Sequence, residues 1–223
     1  MNLIVFDLDG TLIDSARDLA ISMNATRQYL ELPRLDPQLI YSFVGNGAAM
    51  LVRRALGPDA SEELNQRGLK FFLKFYREHA LEHTRLYEGV REAVDQLAGD
   101  GHSLAVLTNK PVKISRDIMA ALDLANLFKL VYGGDSFPTK KPDPQGLLTI
   151  LSETKTEATQ AWMVGDSSVD IQTARNAGVR SCGVTWGFQP EACAAENPDV
   201  LIDQPAQLAK FLSAAAISLR EPT

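Results

Sequence analysis

Cysteine is scarce: Cys182 and Cys193 are the two in 223 residues. They are too few for a disulfide framework and lack the spacing of a metal site. One buried thiol and one incidental thiol in a reducing compartment are therefore expected. Long hydrophobic runs are absent as well. Nothing approaches the roughly 20 apolar residues that span a bilayer. The first apolar run, Leu3–Phe6, meets Asp7 before a signal-peptide core could form. These absences point to a cytoplasmic protein with no membrane partner. Positive charge is also short, with 22 Lys and Arg against 28 Asp and Glu and a net charge of -6. That balance argues against nucleic acid and anionic membranes as partners. It leaves room for a small anionic substrate, because one local cluster of cations outweighs the global sign.

What is present is an ordinary globular composition, 45% hydrophobic and 22% charged, in a chain long enough for one large domain or a core with a small second domain. Short apolar runs end in polar or glycine-containing turns: Leu3–Phe6 at Asp7, Leu104–Leu107 at Thr108-Asn109, Leu130–Tyr132 at Gly133-Gly134, Trp162–Val164 at Gly165-Asp166, and Cys182–Val184 at Thr185. Val200–Ile202 is a candidate sixth strand. Between them lie amphipathic stretches, such as Val90, Ala93, Val94 and Leu97, or Ile114, Ile118, Ala121 and Leu122. Strand–helix repetition of this kind predicts an α/β fold with a doubly wound parallel sheet.

The rhythm breaks between the first two runs. Residues 15–85 hold no strand candidate, but they hold several amphipathic segments: Ala16, Leu19, Ala20, Met23 and Leu30 after an Asp14-Ser15 N-cap pair, then Met50–Val52 with Ala55-Leu56, then Leu69, Phe72, Leu73 and Tyr76. One crossover needs far less. The predicted organisation is a Rossmann-like core from residues 1–14 and 86–223, with an all-helical cap from 15–85.

Open parallel sheets bind ligands at the carboxyl ends of their strands. Asp7, Thr108 and Asp166 follow three separate strands, and Lys141 lies in the loop region after a fourth. In Asp7-Leu8-Asp9-Gly10-Thr11, one carboxylate could attack while the other handles protons. The stretch from Gly165-Asp166 to Asp170 is a second acidic loop, suited to a hard oxygen-ligated cation, and with Asp7 it has the charge to hold Mg²⁺ at a phosphoryl group. Lys141 adds a point charge and Thr108-Asn109 add neutral donors. Phosphoryl transfer asks mainly for positioning and charge neutralisation, and this set supplies both.

Asp7-Leu8-Asp9-Gly10-Thr11, Thr108, Lys141-Pro142 and Gly165-Asp166 with Asp170, in that order, resemble the four motifs of the haloacid-dehalogenase superfamily over essentially the whole chain. The resemblance implies that Asp7 is a nucleophile that becomes phosphorylated. It implies that Asp9 is the general acid and base, with its main-chain carbonyl on Mg²⁺, and that Asp166 is the remaining protein metal ligand. Asp170 would support the metal's water shell or Lys141. Phosphate would be held by Thr108, Asn109, Lys141 and the backbone amides of Asp9, Gly10 and Thr11. Asp9 favours phosphate esters, because the dehalogenating and phosphonate-cleaving branches lack this second acid. Phe43–Gly47 with Leu51–Leu56, and Gly183–Phe188, further resemble segments of phosphoglycolate phosphatases, though a tyrosine often stands where Phe188 is. The implied substrate is a small phosphorylated metabolite, with 2-phosphoglycolate the leading candidate. A sugar-phosphate phosphatase or phosphomutase of the same superfamily is the alternative. A receiver-like phosphorylatable module is the rival of another class, disfavoured by chain length and by both acids sitting in one loop. Monomer and homodimer are not distinguished.

Other features have plainer readings beside the sharp ones. Gly45-Asn46-Gly47 could bring backbone amides to substrate, or could be a turn. Arg53 and Arg54 read as solvated, and Trp186 as packing. His79-Ala80-Leu81-Glu82-His83 matches a zinc-peptidase pattern, but no further zinc ligand stands out near it, so it reads as chance on an exposed helix.

Overall fold

The computed structural model describes residues 2–217; Met1 and residues 218–223, at the ends of the expected core segments, lie outside it. The elements run β1 (Leu3–Phe6), β2 (Ile13–Asp14), α1 (Ala16–Tyr29), α2 (Pro37–Tyr41), α3 (Ala48–Leu56), α4 (Glu62–His79) and β3 (Arg85–Leu86). They continue with α5 (Val90–Gly99), β4 (Ser103–Leu107), α6 (Val112–Ala121), β5 (Leu130–Tyr132), α7 (Gln145–Thr154), β6 (Ala161–Gly165) and α8 (Ser168–Ala177). Last come β7 (Arg180–Val184), α9 (Pro190–Ala195), β8 (Val200–Ile202) and α10 (Gln207–Ile217).

Six strands form one sheet in the order β5-β4-β1-β6-β7-β8, each neighbouring pair parallel. This is the doubly wound order in which the chain reverses direction beside its first strand, opening a crevice at the carboxyl end of β1. Alternation along the strands divides the apolar side chains between two faces. Ile4, Phe6, Leu104, Val106, Trp162 and Val164 belong to one cluster, while Leu3, Val5, Ala105, Leu107 and Met163 pack with Leu147, Ile150 and Ala174 on the other. Burying each such aliphatic side chain contributes roughly 1.5–3 kcal/mol, so the central strand, fully buried along its length, is a firm base for the loop that follows it.

Helices α1–α4 fall between β2 and β3, which pair antiparallel as Ile13↔Leu86 and Asp14↔Arg85. This two-stranded ribbon, unanticipated from the sequence, ties the entry and exit of the helical insertion together. A second tie is buried Asp18, whose carboxylate accepts from the N–H groups of His83 and Thr84 and from the Thr84 hydroxyl. The insertion shares its apolar interior with the sheet: Leu19, Met23, Leu51, Val52, Phe72 and Tyr76 join the same cluster as Phe6 and Val106.

Two expectations change. Cys193 is as fully buried as Cys182, because α9 folds back on β7 and sets its thiol 3.6 Å from the Gly165 carbonyl. The helix carrying His79 ends at that residue, so His79 and His83 do not share a helical face. The His79 ring instead meets Glu82 at 2.5 Å.

Candidate active site

Asp7 leaves the end of β1 and is anchored by its N–H to the Val164 carbonyl at 2.9 Å, alongside β6. That bond places the loops after β1 and β6 side by side. Oxygens of Asp7, Asp166 and Asp170 consequently lie within 4.8 Å of one another, all three residues buried. Lys141 Nζ sits 2.6 Å from Asp170 Oδ1 and 2.9 Å from Asp7 Oδ1. The contact with Asp7 lies off the hydrogen-bond line, which leaves Asp7 Oδ1 buried without a donor.

Three carboxylates facing one ammonium are short of positive charge, and their acidities register it. Burial, with Asp170 adding to it against the pull of Lys141, raises Asp7 to about 6. Burial and the neighbouring Asp170 and Asp7 push Asp166 to about 8. Burial works against the Lys141 charge, but Asp170 and Asp7 outweigh it and hold the amine above its ordinary range. Three buried carboxylates around a single ammonium, two of them resisting ionisation, form the donor set of a hard cation such as Mg²⁺. The residues present fit that ion.

The supporting contacts differ from those expected. Gly10 has φ +82° and lies so close to Asp166 that a Cβ would fall 2.2 Å from its Oδ2, so only glycine fits there. The Gly10 N–H is engaged by the Ile13 carbonyl and the Thr11 N–H by the Leu8 carbonyl. The Thr11 hydroxyl donates to Asp166 Oδ1 at 3.2 Å, and Phe188 N–H donates to its other oxygen at 2.7 Å. Gly10 and Thr11, expected to present amides to phosphate, thus position Asp166. Asn109 is similarly redirected: its two side-chain N–H groups go to the Gly45 and Lys141 carbonyls, and its oxygen accepts from Lys141 N–H. Both side-chain N–H groups of Asn109 are thus engaged by protein carbonyls. Asp170 Oδ2 accepts from the N–H and hydroxyl of Ser167, which fixes it against Lys141.

Asp9 turns away from the three-carboxylate cluster. Its Oδ1 accepts from Ser15 Oγ at 2.5 Å, and Lys110 Nζ contacts its two oxygens at 2.9 and 3.0 Å. Lys110 also donates to the hydroxyl of Tyr76, a residue of α4. Burial raises Tyr76 to about 12, so its hydroxyl keeps its proton. None of Ser15, Tyr76 and Lys110 stood out in the sequence as a site residue.

Above Asp7 and Asp9 lies a cavity of about 40 Å³, bounded on the sheet side by Thr108 and Lys110 and on the insertion side by Gly45, Leu51, Phe72 and Tyr76. One water needs roughly 10–15 Å³ on that scale, so the space has room for a few waters. Gly45 is drawn to the sheet by Asn109, and the neighbouring Val44 carbonyl accepts from Gln189. Arg53 and Arg54 face outward, one paired with Glu62 and the other with the Phe43 carbonyl. Trp186 donates its indole N–H to the Thr11 carbonyl at 3.0 Å, bracing the same loop. No helix among the described residues is long and apolar enough to cross a membrane.

Comparison with known proteins agrees with this geometry. The family model described as haloacid dehalogenase-like hydrolase matches residues 4–184. A phosphoglycolate phosphatase of Vibrio parahaemolyticus is 38% identical over 223 residues, covering 97% of this chain and 98% of that protein. One from Pseudomonas syringae pv. tomato is 39% identical over 207 residues, covering 90% of this chain and 76% of that one. Among solved structures, a predicted phosphoglycolate phosphatase from Haemophilus somnus superposes with a TM-score of 0.89 at 34% identity, covering 95% of this chain and 97% of that one.

Proposed function

The chain belongs to the haloacid dehalogenase-like hydrolases, and from that premise we propose that it is a Mg²⁺-dependent phosphomonoesterase whose principal substrate is 2-phosphoglycolate. The observation that carries the reading is the meeting of Asp7, Asp166 and Asp170 around Lys141, with Asp7 lining a small cavity.

In this reading an Asp7 oxygen attacks phosphorus, and the ester P–O bond breaks as the leaving alkoxide takes a proton from Asp9. Asp9 then removes a proton from water, whose oxygen attacks the aspartyl phosphate, releasing phosphate and restoring Asp7. Lys141 and the Thr108 hydroxyl hold phosphoryl oxygens. Asp7, Asp166 and the Asp9 carbonyl would hold Mg²⁺, with Asp170 supporting Lys141. Bound there, the cation supplies charge neutralisation for the phosphoryl oxygens. Helices α1–α4 act as a cap that excludes water and selects the substrate. The names of the relatives favour 2-phosphoglycolate over a sugar phosphate.

The test is phosphate release across a panel of phosphometabolites with and without Mg²⁺. The expected result is metal-dependent turnover with the highest kcat/KM on 2-phosphoglycolate. A sugar phosphate at the head of the panel would overturn the substrate, and release from no member by folded protein with Mg²⁺ would overturn the activity.

A further inference from the structure

Lys110 is a second buried cation at this site, and it faces Asp9 instead of the phosphoryl position. Its side chain is 3% exposed. Its ammonium meets both Asp9 oxygens and the Tyr76 hydroxyl, and it lies 4.4 Å from the centre of the Tyr76 ring. Those three contacts match its three N–H groups. Its donors are therefore committed to protein atoms, and Lys110 does not duplicate Lys141 as a phosphate ligand.

The three residues come from different parts of the fold. Asp9 follows β1, Lys110 follows β4, and Tyr76 lies near the end of α4 in the helical insertion. Tyr76 is itself fixed, buried and stacked on Phe72 at 5.6 Å between ring centres. Ser15, where the insertion begins, donates to Asp9 Oδ1. Asp9 is thus gripped from both ends of the insertion, directly by Ser15 and through Lys110 by Tyr76. A carboxyl group that must reach one leaving-group oxygen gains from being held in a single orientation, and a misplacement of about 1 Å costs on the order of 100-fold in rate.

We propose that Tyr76 and Lys110 are positioning residues that aim Asp9 at the leaving group, so that seating α4 over the sheet completes the acid–base machinery. This rests on the phosphatase reading and on the acid role given to Asp9. The insertion then does more than close the site, because its docking determines where the proton donor points.

The test uses the leaving group. An alkyl phosphate such as 2-phosphoglycolate expels a basic alkoxide that needs a proton, whereas p-nitrophenyl phosphate expels a stable anion that does not. kcat/KM reports only the steps through departure of the leaving group, so slow breakdown of a phosphorylated enzyme does not enter it. Tyr76→Phe keeps the ring and its stacking and removes only the hydroxyl, while Lys110→Met removes the ammonium. In full-length protein with Mg²⁺, kcat/KM on 2-phosphoglycolate is expected to fall about 10-fold in Tyr76→Phe and about 100-fold in Lys110→Met. The loss on p-nitrophenyl phosphate should be less than about a tenth as large in Lys110→Met, and within about twofold of unity in Tyr76→Phe. Equal losses on both substrates, or no loss on either in Tyr76→Phe, would overturn the proposal and leave the phosphatase reading intact. Wild-type protein inactive on both substrates would instead sink that reading and this inference with it.

Discussion

Lys141 Nζ lies 2.6 Å from Asp170 Oδ1, and both side chains are out of contact with solvent. A buried pair of this kind is costly to break, because the surviving charge has neither water nor partner. Lys141→Ala should destabilise the protein by roughly 3–5 kcal/mol, a fall of about 6–20 °C in Tm for a chain of this size. The deficit should shrink at pH 5, where the carboxyl of Asp7, at about 6 already in the wild type, takes up a proton and no longer needs a cation. Thermal melts at pH 5 and 8 in chelator check this, and an equal deficit at both would count against it.

The metal-free wild type carries its own pH signature. Asp166 moves from an ordinary 3.8 to about 8 on folding and Asp7 to about 6. Both folded-state values lie above the unfolded ones, so the folded protein binds more protons between about pH 4 and 8, and stability falls as pH rises through that window. A loss of at least about 1 kcal/mol, or about 2–4 °C in Tm, is expected. Mg²⁺ should reverse it above pH 6, by about 2.7 kcal/mol at one hundred times its Kd. A Tm in chelator that stays level from pH 4 to 8 would contradict the electrostatic account of the cluster.

Gly10→Ala should act on Asp166. The new methyl would meet a backbone φ of +82° and overlap the carboxylate, and positive φ alone costs about 1 kcal/mol for a residue with a Cβ. Calorimetric titration of Mg²⁺ should show at least about tenfold weaker binding (1.4 kcal/mol). Unchanged affinity would mean that the loop gives way without moving Asp166.

Asn109 and Gln189 both hold the Val44–Gly45 segment, but only Asn109 also fixes the Lys141 backbone. Gln189→Ala should raise KM by up to about tenfold, the value of one neutral hydrogen bond, with kcat within about twofold. Asn109→Ala should lower kcat as well, by about 10–100-fold, because Lys141 loses its aim. Steady-state kinetics on 2-phosphoglycolate separate the two patterns, and identical behaviour of the two variants would refute the division of labour.

The six parallel strands could be read from the sequence because each is a short apolar run closed by a turn. The helical insertion was equally plain, since its apolar spacing has the helical period. The ribbon of Ile13–Asp14 with Arg85–Leu86 was not readable, because two residues are too few to show alternation. Asp7, Thr108 and Asp166 could be placed at strand ends, and Lys141 in the loop region after a fourth strand, from the apolar runs that precede them. Their supports were hidden, because each resembled something ordinary. Ser15 looked like a helix N-cap, yet it makes no side-chain capping bond and gives its hydroxyl to Asp9. Tyr76 looked like one more apolar residue on an amphipathic face, and nothing in the sequence set Lys110 apart. Only the folded chain brings residues 9, 76 and 110 together. Asn109 and the Gly10-Thr11 pair were assigned to phosphate from their place beside reactive residues, whereas tertiary contacts engage their donors elsewhere.

Trapping the phosphorylated protein tests most directly whether Asp7 supplies the oxygen that bonds to phosphorus. Wild-type protein turning over 2-phosphoglycolate with Mg²⁺ would be quenched in acid and reduced with borohydride, which converts an aspartyl phosphate to homoserine, and the peptides then sequenced by mass. Homoserine is expected at position 7, dependent on substrate and Mg²⁺ and absent from Asp7→Asn, which should also release no phosphate. Steady phosphate release with no modification at Asp7, or release undiminished in Asp7→Asn, would contradict that role for Asp7.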